Sequence, residues 1–448
     1  MPSVSTSCNL PRIERSEYAQ RRKQFRSHLG SAAALFRSAP LLVRSNDAEY
    51  RYRQDSDFYY LTGFVEPDAV CLLLPEKYVL FVRPRNKERE LWEGSRCGPE
   101  AAKELFGADE AYSIDEIDEL LPMYLEHVDL LYYSLGRDEE FDRRVFRWLR
   151  HFRTVRQRSG RGPYGVLDPS EVLHEMRLYK SSEEVKLIRQ AAKISAAAHL
   201  EAMAACRPGM YEFEIEAILE HRFRREGANA PAYTPIVGSG PNATILHYTA
   251  NRRRMMDGDL LLVDAGAEYE YYCADITRTY PVNSRFTQPQ RELYELVLRA
   301  QKAAIETVRP GVRFDEVHKC AVQVLLEGLL SLGFVKADLE AALENGLYRR
   351  YYMHRTSHWL GIDVHDVGKY MLDGVSRTLE PGMVLTVEPG LYIPNEEDVP
   401  ERYRGLGIRI EDDVLVTSAG REVLTEGLPK EIEELEAMVG RYETLSIV

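Results

Sequence analysis

From residue 16 to about 150, stretches with apolar positions at helical spacing, such as EYAQRRKQFRSHL, alternate with short apolar runs such as APLLV, AVCLLL and KYVLFV. The first pattern buries one stripe of a helix, and the second fits a strand buried on both faces. The alternation predicts an α/β unit. The stretch Arg158 to Gly165, RSGRGPYG, interrupts both patterns with Gly, Pro and charge, and is the expected linker or domain edge.

Beyond it, Ser181 and Glu184 have capping-box spacing ahead of VKLIRQAAKISAAAHLEAMAAC, which predicts a long helix stopped by Pro208-Gly209. FEIEAILEHRFRREG predicts a second helix ending at Gly227, and QRELYELVLRAQKAAIETV a third ending before Pro310-Gly311. Strand-like runs lie among them: LLLVDAG, YYCADITRTYPV, MVLTVE and GIRIEDDVLVT. Helices mixed with hairpin-forming strands predict an α+β domain, helices on one face of an antiparallel sheet. The expected division is residues 1–175 and 176–448.

A chain of 448 residues exceeds what one hydrophobic core serves, which agrees with that division. Acidic residues outnumber basic ones, 71 to 58, and the net charge of −13 disfavours nucleic acid and anionic membrane surfaces as partners. Six scattered cysteines without a C-x-x-C exclude a zinc knuckle and a disulfide framework, and fit a reducing cytoplasm. MPSVSTSCNLPRIER has no signal-peptide core and no apolar run of membrane-spanning length follows, so the expectation is a soluble, unexported protein. The Ser-rich start reads as a frayed terminus rather than a transit peptide. Arg150, Arg153, Arg156, Arg158 and Arg161 read as a solvated helix end rather than an anion-binding patch.

The candidate chemistry is acidic. Asp264 closes the run LLLV and Asp275 lies within YYCADITRTY, with GAEYEY between them. A turn near Tyr269-Glu270 would set the two aspartates directly opposite on paired strands, where they repel unless a cation lies between them. One turn aspartate and one solvent-facing aspartate is the bland alternative. Glu388 ends MVLTVE, and Glu411 follows GIRI in an acidic triplet from which apolar VLV resumes without Gly or Pro, so the triplet belongs inside a strand. His354, His358 and His365 crowd the segment MHRTSHWLGIDVHDVG in a chain with 11 histidines. Arg355 follows His354 where a zincin helix needs Glu, which excludes that motif. Gly361 and the alternation of Ile362 and Val364 predict a loop passing into a strand. Four carboxylates and one neutral imidazole carry −4, the complement of two divalent cations, and oxygen-rich ligation favours Mn²⁺, Co²⁺ or Fe²⁺ over structural zinc.

VDAGAEYEYYCADITRTYPV, TSHWLGIDVHDVG, LTVEPGLY and GIRIEDDVLV resemble, in order and spacing, the motifs of pita-bread metallopeptidases, the aminopeptidase P group in particular. SNDAEYRYRQDSDFYYLTGFVEPDAV resembles that group's N-terminal domain, so the similarity spans nearly the whole chain. The resemblance implies a creatinase-like N-terminal α/β domain, a C-terminal pita-bread domain, two Mn²⁺ ions, and release of the residue ahead of proline from peptides with N-terminal Xaa-Pro. Carried over by motif, Asp264, Asp275, His358, Glu388 and Glu411 hold metal, and Glu388 also moves a proton. His247 in ILHY and His365 in DVHD match substrate-facing histidines, and His354, Tyr392 and Arg409 match positions that support substrate from behind. Asp47 and Trp92 match N-terminal residues that reach a neighbouring protomer's site, which implies a homodimer or homotetramer. The chain departs from the group between Lys369 and Arg377, where relatives often place a substrate arginine and only Arg377 is available. The competing readings are a prolidase restricted to Xaa-Pro dipeptides and a metal-free binding module; a methionine aminopeptidase lacks the long N-terminal part.

Overall fold

A computed structural model describes residues 11–441; Cys8 and the Ser-rich start lie outside the described residues. The chain divides into two compact units, Ile13–Arg177 and a second running on from Leu178.

The first unit is built on a six-stranded sheet in the order Glu110–Ser113, Tyr78–Val82, Val70–Leu73, Ala33–Arg37, Leu130–Tyr132, Gly165–Leu167. Ala33–Arg37 pairs antiparallel with Val70–Leu73 and parallel with Leu130–Tyr132. AVCLLL and KYVLFV form wholly buried strands, as their unbroken apolar runs predict. APLLV does not: the strand is the preceding AALFR, and Leu41, Leu42 and Val43 are exposed. Pro40 has no N–H for a sheet ladder, and Ala39 N instead donates to Gln54 Oε1 at 2.7 Å. RSGRGPYG also proves to be something other than a domain edge. The helix Glu139–Ser159 ends on Gly160 at φ 67°, and the chain returns as the edge strand Gly165–Leu167 of the same sheet. Gly and Pro there serve a turn inside the unit.

Asp57 is 4% exposed, with Arg177 Nη1 at 2.7 Å and His174 Nε2 at 3.3 Å. Burial pushes its pKa up, but Arg177 and the His174 hydrogen bond outweigh burial and hold the carboxyl well below the usual carboxylate range. A depressed folded-state pKa gives stability that is complete above the unfolded value of about 3.9 and fades as pH falls below it. Asp57→Asn is therefore expected to cost about 3 kcal/mol at neutral pH, because it removes the buried charge that Arg177 and His174 face. Denaturant midpoints should show the gap between the two proteins narrowing below about pH 4; a pH-independent gap would exclude the ionic contribution.

The second unit pairs the helix Ser182–Ala205 with Glu212–Arg225, and Gln288–Thr307 with Phe314–Ser331. The first begins with the capping box, Ser181 Oγ receiving Glu184 N and Glu184 receiving Ser181 N. Its strands are short and antiparallel: Ile236–Ser239, Leu260–Asp264 and Thr277–Pro281 form one sheet, and Val384–Val387, Asp412–Thr417 and Gly420–Val423 another. Gly390–Tyr392 pairs with Gly407–Arg409.

No helix among the described residues is long and apolar enough to cross a membrane. Cys71, Cys97, Cys206, Cys273 and Cys320 are free thiols.

Candidate metal centre

Two register details place the carboxylates. The hairpin after Asp264 pairs Tyr269 with Tyr272 and Glu268 with Cys273, so its tight turn is Glu270-Tyr271, both at positive φ (47° and 71°). This is one residue later than the sequence suggests, and it puts Thr277 rather than Asp275 opposite Asp264. Moving the pairing by two residues leaves every side chain on its face, so Asp264 and Asp275 still point the same way as diagonal neighbours. Gly266 permits the close approach between them: a Cβ there would stand 1.7 Å from the Ala274 carbonyl oxygen.

His358 is delivered by an irregular segment lying along the strand Val384–Val387. Leu360 N donates to Val384 O, Thr386 N to His358 O, and Glu388 N to Thr356 O, at 2.8–3.0 Å. The strand-like pairing therefore comes before Gly361, and Ile362 to Gly368 is a series of bends instead of the expected strand. The reason is that 356–360 finds backbone partners on Val384–Val387, whereas Gly361 N turns back to Asp363 O. Glu388 leaves the end of that same strand, and Glu411 stands at the entrance to Asp412–Thr417, with its whole acidic triplet buried.

Single ligand atoms of Asp275, His358 and Glu411 lie within 4.8 Å of one another. His358 Nε2 is 3.3 Å from Asp275 Oδ2 and 3.5 Å from Glu388 Oε1. His358 Nδ1 is 3.0 Å from Trp359 O, and since a carbonyl only accepts, Nδ1 donates there and Nε2 is the ring atom left facing the two carboxylates. Asp264 joins the group through Tyr233, whose hydroxyl is 2.5 Å from Oδ1 of both Asp264 and Asp275.

These charges are poorly compensated by the protein. Burial, then the neighbouring carboxylates, hold Glu411 well above its ordinary range, and burial lifts Glu388 to about 8 against the pull of His358 and Arg409. Burial also raises Asp264 although Arg409 Nη2 lies 2.5 Å from its Oδ2. His358 is the mirror image: burial would lower it, but the Asp275 hydrogen bond and Glu388 raise it to about 9. Such a cluster either retains protons or accepts cations. Carboxylate oxygens with one imidazole nitrogen are a hard donor set suited to divalent metal, so the residues present fit that group.

The cavity above the cluster has a volume of about 920 Å³ and is lined by Asp264, Asp275, His358, Glu388 and Glu411 together with His247, His354, His365 and Arg409. His365 packs edge-on against His358, ring centroids 4.4 Å apart. His354 Nδ1 donates to Arg355 O at 2.8 Å, so its Nε2 accepts from the Tyr392 hydroxyl at 2.8 Å, and that hydroxyl accepts from Arg409 Nη1 at 2.8 Å. Burial lowers His354 to about 3, which keeps it neutral in this chain. Tyr392 is 2% exposed and stands behind the wall. Asp47 and Trp92 belong to the first unit, both exposed, Asp47 at a turn and Trp92 on the helix Lys87–Glu93. Arg377 is buried and donates to Tyr179 OH at 3.1 Å, so the cation at the cavity wall from this part of the chain is Arg355.

Sequence reasoning missed Tyr233, Thr277 and Asp413. Thr277 Oγ1 donates to Glu411 Oε2 at 2.7 Å, and Asp413 Oδ2 accepts Asp275 N at 3.1 Å. Thr277 and Asp413 fall within the quoted strand motifs, where polar residues on a buried face are a signal; Tyr233 lies in APAYTP, which offers none.

The model of metallopeptidase family M24 matches residues 186–418, and that of the aminopeptidase P N-terminal domain matches residues 18–132. The Xaa-Pro aminopeptidase of Escherichia coli is 46% identical over 437 residues, covering 96% of this chain and 99% of that protein. The structure of Pseudomonas aeruginosa aminopeptidase PepP superposes with a TM-score of 0.94 at 48% identity, over 96% of this chain and 98% of that one. A variant of E. coli aminopeptidase P in complex with substrate gives 0.92 at 46%, over 95% and 98%. The α+β fold is thus the pita-bread fold, preceded in the chain by a creatinase-like α/β domain, and the chain is a divalent-metal peptidase for which Asp275, His358 and Glu411 form a candidate site. The chain belongs to metallopeptidase family M24, as a metal-dependent aminopeptidase that carries the aminopeptidase P N-terminal domain.

Proposed function

We propose that this chain is an Xaa-Pro aminopeptidase that works with two divalent ions, Mn²⁺ first among them, held by Asp264, Asp275, His358, Glu388 and Glu411. The observation that carries the reading is the convergence of these five residues at one wall of a cavity whose other polar residues include His247, His354 and His365. Bound metal supplies acidified water near neutral pH and Lewis-acid polarisation of the scissile carbonyl. Glu388, beside His358 and turned into the cavity, takes the proton of the attacking water and hands it to the proline nitrogen as the bond breaks. His247 and His365 donate hydrogen bonds to the oxygen of the tetrahedral intermediate, each worth roughly 3 kcal/mol. Arg409, through Tyr392, fixes His354. The Xaa-Pro amide has no N–H to offer, so recognition falls to shape and to the carbonyl groups.

The free thiols support a reducing cytoplasm as the working compartment. A dimer or tetramer is supported by Leu91 and Trp92, an apolar pair 86% and 88% exposed that a neighbouring copy would cover.

Chelation is expected to abolish release of the first residue from an Xaa-Pro-Yaa tripeptide, and Mn²⁺ to restore it, as measured by amino-acid release from the purified protein. Failure of every divalent ion to restore release would count against the metal assignment. Cleavage confined to Xaa-Pro dipeptides would move the reading to prolidase.

A further inference from the structure

Glu212 opens the helix Glu212–Arg225 and is fully buried, with no ion pair among the described residues. Its carboxylate accepts five hydrogen bonds instead. Oε1 receives Ser239 N at 2.8 Å, Ser239 Oγ at 2.7 Å and Asn242 Nδ2 at 3.1 Å; Oε2 receives Tyr248 OH and Arg253 N, each at 2.8 Å. A carboxylate offers about four lone-pair sites, so this one is saturated, and the helix N-terminus adds favourable charge. All five donors come from one segment, residues 239–253, gripped at its entry, near its middle and at its exit.

The other side of that segment is pinned by close packing. A Cβ on Gly407 would stand 2.1 Å from Ala243 O, and one on Gly238 would stand 2.9 Å from Asn242 O. Leu246 and Tyr248 pack against the buried cluster of Ile236, Ala243, Leu262 and Tyr392. His247 lies between Leu246 and Tyr248, is exposed at the cavity wall, and makes no side-chain hydrogen bond of its own among the described residues. The backbone on which it rides is therefore what aims its imidazole.

We propose that Glu212 is a positioning residue for hydrolysis, its carboxylate holding residues 239–253 so that His247 faces the scissile bond; this rests on the role given to His247 above. In Glu212→Gln one oxygen becomes an NH₂ group, so that either Ser239 N or Arg253 N meets a donor in place of its acceptor.

The metal-loaded, full-length Glu212→Gln enzyme is expected to lose about tenfold or more in kcat, since displacements near 1 Å cost up to about a hundredfold, with KM and metal content kept. Tyr248→Phe, which deletes the bond to Glu212 beside His247 together with the longer one that the same hydroxyl accepts from Arg252 N at 3.4 Å, should show a smaller loss of the same kind, and serves in the cycle if Glu212→Gln does not fold. In a His247→Ala background neither substitution should lower kcat further. An equal further loss there, or an unchanged kcat with only a lower Tm, would overturn the proposal. If His247→Ala alone leaves kcat intact, the role of His247 fails first and Glu212 has nothing to aim, a pattern distinct from the other two.

Discussion

Asp275→Ala is expected to give a folded protein that has lost its bound metal and about a thousandfold or more of its turnover together. Asp275 ties the cluster to its surroundings on three sides: Oδ2 faces His358 Nε2, Oδ1 faces the Tyr233 hydroxyl, and its backbone N–H is held by Asp413. Removing it leaves His358 and Glu411 without the carboxylate between them that completes the ligand group. Lewis-acid stabilisation is worth several kcal/mol and each 1.36 kcal/mol is tenfold, which sets the expected loss. His365→Ala is the contrast. It touches His358 only through ring packing, so it should keep metal and lose roughly a hundredfold in kcat. Metal analysis beside turnover checks both, and an Asp275→Ala protein with full metal content and full rate would sink the ligand assignment.

Gly266→Ala is expected to damage the same site without touching a ligand. The added Cβ would meet Ala274 O at 1.7 Å and Ala274 C at 2.6 Å, and both are backbone atoms that no rotamer change can move. The hairpin is bonded on either side, Ala265 N to Ile276 O at 3.0 Å and Ala274 N to Ala267 O at 3.1 Å, so opening it by more than an ångström must break a bond or turn Asp275 away. Overpacking of this kind costs about 3 kcal/mol, and misplacing a ligand by 1 Å costs about a hundredfold in rate. A lower Tm with reduced metal content is the expected pair of readings. Gly427→Ala, where nothing lies within 4 Å of the new Cβ, is the control that should change neither. Wild-type metal binding in Gly266→Ala would show that the hairpin can open without moving the aspartates.

Much of the local structure was legible because it depends on neighbours in the chain. Ser181 and Glu184 foretold the capping box that starts the helix Ser182–Ala205, and the unbroken apolar runs around residues 70 and 80 became strands buried on both faces. The failures have physical causes. Pro40 withdrew APLLV from the sheet, and RSGRGPYG looked like a boundary because Gly and Pro mark turns inside a domain as readily as edges between domains. The hairpin turn was misplaced by one residue because Glu270 and Tyr271 take positive φ without the Gly or Asn that usually marks such a turn.

The sequence by itself determined which donors exist and which face of its strand each occupies, since side-chain alternation survives a two-residue change in register. It could not decide that Tyr233 would bridge Asp264 and Asp275, that His358 rather than its neighbours would turn Nε2 onto the carboxylates, or that Glu212 would grip the segment bearing His247. Those contacts join residues 31 to 83 positions apart. Periodicity, capping and charge are written locally, whereas convergence depends on how strands and helices pack, and only the folded chain supplies those distances.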